Sequence, residues 1–194
     1  MGLGPYQGAV EKSLREIVKA RVVARIHDMD HTVWKSDPWE ITDRLGWLVS
    51  PFGMRQRVQE LADFADELRS EGFAHALLLG MGGSSLAPEV LGKTFGPKDG
   101  FLDLAVLDST DPASVRSLTA GLDLARTLFI VSTKSGTTVE TLSFFKYCYN
   151  LACEALGREH AGSRFVAVTD PGNSLNDLAA ACSFRKVFAG DTTI

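Results

Sequence analysis

The sequence predicts an α/β protein with a doubly wound, parallel five-stranded sheet and helices on both faces, preceded by an N-terminal helical extension. Three observations carry that expectation. Short runs of β-branched, aliphatic and aromatic residues recur at 74–79, 102–107, 128–132, 165–168 and 184–188. Stretches at helical period separate most of them, as crossovers between parallel strands require. The turns after the first and third runs are rich in glycine or hydroxyl groups, the composition of ligand-binding strand-to-helix junctions.

The composition fits an ordinary globular chain: 45% of the 194 residues are hydrophobic and 23% charged, enough for one sizeable core. A formal net charge of -4 argues against nucleic acid or an anionic membrane as partner, because both demand a basic face. The expected partners are small molecules or a second copy of the chain. The N-terminal residues MGLGPYQGAVEKS lack the apolar core of a signal peptide, and no later apolar run has the length of a membrane span. Gly2 could open a myristoylation motif, but Tyr6 stands where serine or threonine is needed. A cytoplasmic location is expected. Cys148, Cys153 and Cys182 form no Cys-x-x-Cys pair and read as reduced thiols.

Taken in order, Val10, Leu14, Ile17, Val18 and Val22 recur at helical spacing, which predicts one helix from about Tyr6 to Arg25. The stretch HDMDHTVWKSDPWEITDRLGWLVSP follows as an irregular connector, with a short helical piece near Glu40 to Leu45 and tryptophans expected to pack against the main domain. His27 and His31 lie four apart. They lack the glutamate after the first histidine and the third ligand of a zinc motif, so no metal site is expected. These residues make up an expected segment 1–50, followed by an α/β domain, 51–194.

Ser50-Pro51 is a helix-start signal, and Met54, Val58, Leu61, Ala65 and Leu68 hold one face up to Glu71, with Gly72 as the stop. Ala74 to Leu79 is the first strand, and GMGGSSLAPEVLGKTFG is a glycine turn entering a helix. Leu102 to Leu107 is the second strand, after which Pro112 opens a helix to about Ala120. LFIVSTKSGTTVET, Leu128 to Thr141, supplies the third strand, a hydroxyl-rich loop and the start of a helix reaching about Gly157. Phe165 to Val168 and Phe184 to Phe188 are the remaining strands, joined by a helix ending near Cys182.

The loop after the third strand reads as an anion cradle. Ser132, Thr133, Ser135, Thr137 and Thr138 can donate to phosphate oxygens, Lys134 supplies a positive charge, and the following helix turns its unpaired N–H groups and positive dipole end to the loop. The alternative is that the hydroxyls merely cap that helix. In a doubly wound sheet, however, the glycine turn and the hydroxyl loop both fall at the carboxyl edge, where ligands bind. A nucleotide fits less well than a single phosphate. The third glycine of G-x-G-x-x-G falls on Ser85, and the leading glycine of a Walker loop is missing before TKSGTT.

These residues also carry a family resemblance. GMGGSSLAPEV and VSTKSGTTVET resemble the two signature regions of the sugar isomerase (SIS) fold as it occurs in phosphoglucose isomerase. ITDRLGWL resembles, more narrowly, the isomerase half of bacterial bifunctional transaldolase/phosphoglucose isomerase proteins. The resemblance implies that the phosphate of glucose 6-phosphate or fructose 6-phosphate lies against Ser84, Thr133, Ser135 and Thr138, assisted by the backbone amides of Gly83 and Lys134, with Thr137 also in the motif. It implies that Glu140 supports a ring-opening histidine, that no cofactor is needed, and that a homodimer can form through the SIS domain. In that family the glutamate, histidine, lysine and arginine that perform the chemistry lie further along the chain, the arginine in a Gly-Gly-Arg segment. This sequence stops at about that point, so the expectation is a phosphosugar-binding part that is inactive alone. The other readings are a free-standing SIS module that senses phosphosugars and a nucleotide-dependent oxidoreductase.

Overall fold

The computed structural model describes residues 2–194. In chain order the helices and strands are α1 Gln7–Lys19, α2 Val22–His27, α3 Ser50–Ser70, β1 His75–Gly80, α4 Gly83–Phe95, β2 Asp103–Leu107, α5 Pro112–Thr119, β3 Thr127–Ser132, α6 Val139–Leu156, α7 Arg158–Ala161, β4 Phe165–Thr169, α8 Ser174–Ala181 and β5 Lys186–Ala189. They fall into two units: the segment up to Gln56 together with Asp191–Ile194, and Arg57–Gly190.

In the larger unit the five strands are all parallel and ordered β2-β1-β3-β4-β5. Side chains alternate between the two faces, as the period of a strand requires. One face presents Leu77, Leu79, Phe129, Val131, Phe165 and Ala167 to α6 and α8, and Phe129 and Phe165 stack at 4.8 Å. Burial of each valine, leucine and phenylalanine side chain here contributes about 1.5–3 kcal/mol. The other face packs Leu128, Val166 and Phe188 against Leu68 and Phe64 of α3, and α4 lies on this same side, with Gly92 over Leu104. The chain is therefore doubly wound.

Helix α4 is unusual in its facing. Small Ser85 and Gly92 are turned to the sheet, while Leu86, Val90 and Leu91 are 60%, 52% and 56% exposed. Near the amino edge of the sheet, Phe73 lies between the guanidiniums of Arg164 and Arg185, at 4.9 and 5.2 Å. Arg185 also bridges Glu67 and Glu71, at 2.8 and 2.6 Å.

Three sequence expectations need correction. The first helix is interrupted: Arg21 adopts a left-handed conformation at φ 51° and separates α1 from α2, although no glycine marks the break. Glu40 is also left-handed, at φ 57°, and only 3-10 turns form nearby, at Thr42–Arg44 and Gly46–Leu48. The fifth strand starts later than the aromatic run, because Phe184 turns toward Phe145 and Phe165, 5.3 and 5.4 Å away, before β5 begins.

In the smaller unit Trp34 and Trp39 are 48% and 72% exposed. Gly46 donates its N–H to the Thr193 carbonyl at 2.8 Å, and a Cβ there would lie 2.9 Å from that oxygen. The glycine of ITDRLGWL thus admits the chain that follows β5. His27 ends α2 and His31 begins a 3-10 turn, so the two share no helix face. Among the described residues no helix is long and apolar enough to cross a membrane.

Candidate functional site

The carboxyl edge of the sheet changes direction between β1 and β3. From β1 the chain runs through α4 on one face to β2, and from β3 it runs through α6 on the other face to β4. A crevice opens where two such crossovers diverge. Its two walls start side by side, since Gly80 and Ser132 are register partners in adjacent strands. Gly80 permits that approach: a Cβ there would lie 3.1 Å from the Ser84 carbonyl and 3.2 Å from that of Ser132.

The first wall is the turn Met81-Gly82-Gly83-Ser84. Gly82 takes φ 55° and ψ -122°, and it is the N-cap of α4 without a side-chain cap. Gly83 is the first residue of the helix and is exposed, while Ser84 is half-buried. The Gly83 N–H and the Ser84 hydroxyl have no hydrogen-bond partner among the described residues.

The second wall is the loop from Thr133 to Thr138. Thr133, only 3% exposed, shares a 2.8 Å hydrogen bond with the Thr138 hydroxyl, which closes the loop across its mouth. Ser135 and Thr137 are paired through their hydroxyls at 3.0 Å, and the Thr137 N–H donates to Ser135 Oγ at 3.2 Å. Lys134 is exposed and has no carboxylate partner among the described residues. Glu140 stands in the first turn of α6, half-buried and likewise without an ion pair there.

These contacts answer the capping alternative. Thr138 occupies the N-cap of α6, yet its side chain caps nothing, being turned to Thr133 instead. The other two helices that leave this edge are self-capped. Asp111 accepts from Ser114 N at the start of α5, and Asn173 accepts from the N–H groups of Leu175 and Asn176 at the start of α8. Only α4 and α6, the pair at the switch point, present uncapped N-termini there, and such termini favour an anion.

All seven residues expected to hold phosphate therefore line the two loops at this edge, and Glu140 lies beside them. Residues that the sequence reading passed over also take part. Lys134 O accepts from Asp170 N at 3.2 Å, Asn173 Nδ2 at 3.0 Å and Thr169 Oγ1 at 3.3 Å, and the Ser174 hydroxyl donates to Gly136 O at 2.9 Å. In the sequence TDPGNS reads only as a helix start with an asparagine cap, and it is the strand order that sets it beside this loop.

Residues 55–180 match the family model of phosphoglucose isomerase. The chain belongs to the phosphoglucose isomerase family. Similar members include the glucose-6-phosphate isomerase of Citrifermentans bemidjiense, 36% identical over 121 residues that make up 60% of this chain and 22% of that protein. That of Xanthobacter autotrophicus is 31% identical over 125 residues, 60% of this chain and 23% of that protein. The chain spans about a quarter of the length of such curated phosphoglucose isomerases. Among solved structures, a hypothetical protein of Thermus thermophilus aligns with 99% of this chain and 42% of its own, at TM-score 0.66 and 25% identity. A glucose-6-phosphate isomerase from Chlamydia trachomatis aligns with 72% of this chain and 26% of its own, at TM-score 0.59 and 26% identity.

Proposed function

We propose that the crevice between the two loops binds the phosphate of a hexose 6-phosphate, and that the chain is the phosphosugar-binding part of a glucose-6-phosphate isomerase, inactive alone. The observation that carries this reading is the pair of uncapped helix N-termini at the switch point, faced by hydroxyls that are free or paired with one another. A phosphate dianion would accept from the Gly83 and Lys134 amides, from Ser84, and from one hydroxyl of each of the pairs Thr133–Thr138 and Ser135–Thr137. In the Thr133–Thr138 pair one hydroxyl proton satisfies the other oxygen, so the second proton is left to donate outward. Lys134 adds a point charge, and the two dipole ends favour the anion without a metal ion.

Interconversion of an aldose and a ketose further requires a base to carry a proton between C1 and C2, and an acid and base to open the ring. Within the α/β unit the histidines are His75, at the amino end of β1 and so at the opposite edge, and His160 in α7, 71% exposed in its side chain. Glu140 is a carboxylate beside the loops, which fits a supporting role and leaves the chemistry to residues outside this chain.

Titration calorimetry with fructose 6-phosphate tests the reading. Binding is expected, and Thr138→Val should weaken it about tenfold or more, since a hydrogen bond to a charged group contributes about 1.5–3 kcal/mol. Binding of NADH without any response to phosphosugar would overturn the assignment. A coupled assay should detect no isomerase turnover by the chain alone, and robust turnover would refute the claim that it lacks the proton-transferring groups.

A further inference from the structure

We infer that Asn173, in the loop between β4 and α8, is a positioning residue for the phosphate loop, holding Lys134 to Gly136 in the shape that presents the α6 N-terminus. The inference rests on the phosphate-binding reading of that loop and adds to it a residue that touches no part of the ligand. One side chain does two jobs. Its Oδ1 accepts from the N–H groups of Leu175 and Asn176, at 3.0 and 3.4 Å, which caps α8. Its Nδ2 donates across the crevice edge to the Lys134 carbonyl at 3.0 Å, and to Thr169 Oγ1 at 2.6 Å. The amide orientation is fixed by these partners, because a flip would set Oδ1 against the Lys134 carbonyl.

The loop is fitted to this side chain. Gly136 is buried and left-handed, at φ 72°, and a Cβ on it would lie 2.5 Å from Asn173 Cγ and 2.9 Å from Nδ2. Thr169, 2% exposed, accepts from Nδ2 and donates to the same Lys134 carbonyl, so the brace is anchored in the end of β4. Ser174 adds a second tie, to the Gly136 carbonyl. With both carbonyls drawn toward the β4–α8 loop, no N–H of Lys134, Ser135 or Gly136 is used inside the protein among the described residues. The Lys134 carbonyl shares its peptide group with the Ser135 N–H, so drawing that oxygen inward points this free N–H outward, which is how backbone nests cradle anions.

Asn173→Asp separates the two jobs. Aspartate keeps the acceptor that caps α8 but removes both donors and sets a negative charge against the Lys134 carbonyl. Its dissociation constant for fructose 6-phosphate should rise about tenfold, and the backbone amide resonances of Ser135, Gly136 and Thr137 should move even without ligand. Asp111→Ala is the control for general stability: it removes the cap of α5 and should leave that constant unchanged. Wild-type affinity in Asn173→Asp, or equal weakening by Asp111→Ala, would overturn the inference. If the unaltered chain binds no fructose 6-phosphate, the phosphate reading itself fails. The brace is then judged on the ligand-free spectra, where unmoved loop amides in Asn173→Asp would overturn it.

Discussion

The two loops that wall the crevice reach the same edge by different means. The β1–α4 turn is shaped by its own glycines, and among the described residues its hydrogen bonds stay within the turn and the first turn of its helix. The β3–α6 loop carries four hydroxyl side chains and a lysine, and it is tied to residues 35 to 39 positions downstream. One wall is a local property of its motif. The other depends on a neighbour that only the strand order brings near, since β4 lies beside β3.

Paired substitutions expose that difference. Gly136→Ala should produce the largest loss, because the residue is left-handed and its Cβ would overlap Asn173. Backbone strain of this kind costs about 1–3 kcal/mol before any overlap is counted. Calorimetry should find a lowered unfolding midpoint together with lost phosphosugar binding. Gly83→Ala, on the first wall, places its Cβ where nothing lies within 4 Å. It should leave stability within about 0.5 kcal/mol of the starting value.

Much of this was legible in the residues. Strands β1 to β4 begin and end within a residue or two of their apolar runs, because a strand buried on both faces needs an almost continuous apolar sequence. The two loops were legible because glycine and clustered hydroxyls have few other uses at a strand's carboxyl end. Asn173 and Ser174 were not, since their part in the site is a tertiary contact that no local pattern encodes. The break at Arg21 was hidden for a related reason: the left-handed conformation was adopted by a residue that rarely takes it. Phe184 misled by being aromatic, its burial coming from Phe145 and Phe165 ahead of the strand.

A smaller effect is expected from Ser84→Ala. The hydroxyl has no partner among the described residues, so its loss should leave the unfolding midpoint alone while fructose 6-phosphate binds about tenfold more weakly, the low end for one charged hydrogen bond. Contrast between this variant and Asn173→Asp sharpens the distinction between a wall that only contacts ligand and one that must also be braced.

The smallest effect lies at the opposite edge and serves as a reference for both walls. Hydrogen bonds from Arg185 hold the Glu71 carboxyl below its ordinary value. A depressed carboxylate stabilises the fold fully above its unfolded value, about 4.3, and that stabilisation fades as pH falls through the lower folded value. Denaturation measured between about pH 3 and 6 should therefore lose less stability on acidification in Arg185→Met than in the unaltered chain. Because Glu71 is exposed by 42% in its side chain, solvent screens the pair and the difference should be small. Phosphosugar affinity at neutral pH should not change.

The central claim is that the two uncapped helix ends at the switch point hold the phosphate while the two self-capped ends do not. Amide-resolved NMR titration with fructose 6-phosphate tests it directly. The amides of Gly83, Ser84, Val139 and Glu140 should shift together and saturate with one dissociation constant, while those of Ser114, Leu175 and Asn176 at the capped ends stay in place. Unmoved amides at the starts of α4 and α6, or equal shifts at all four helix ends, would contradict it.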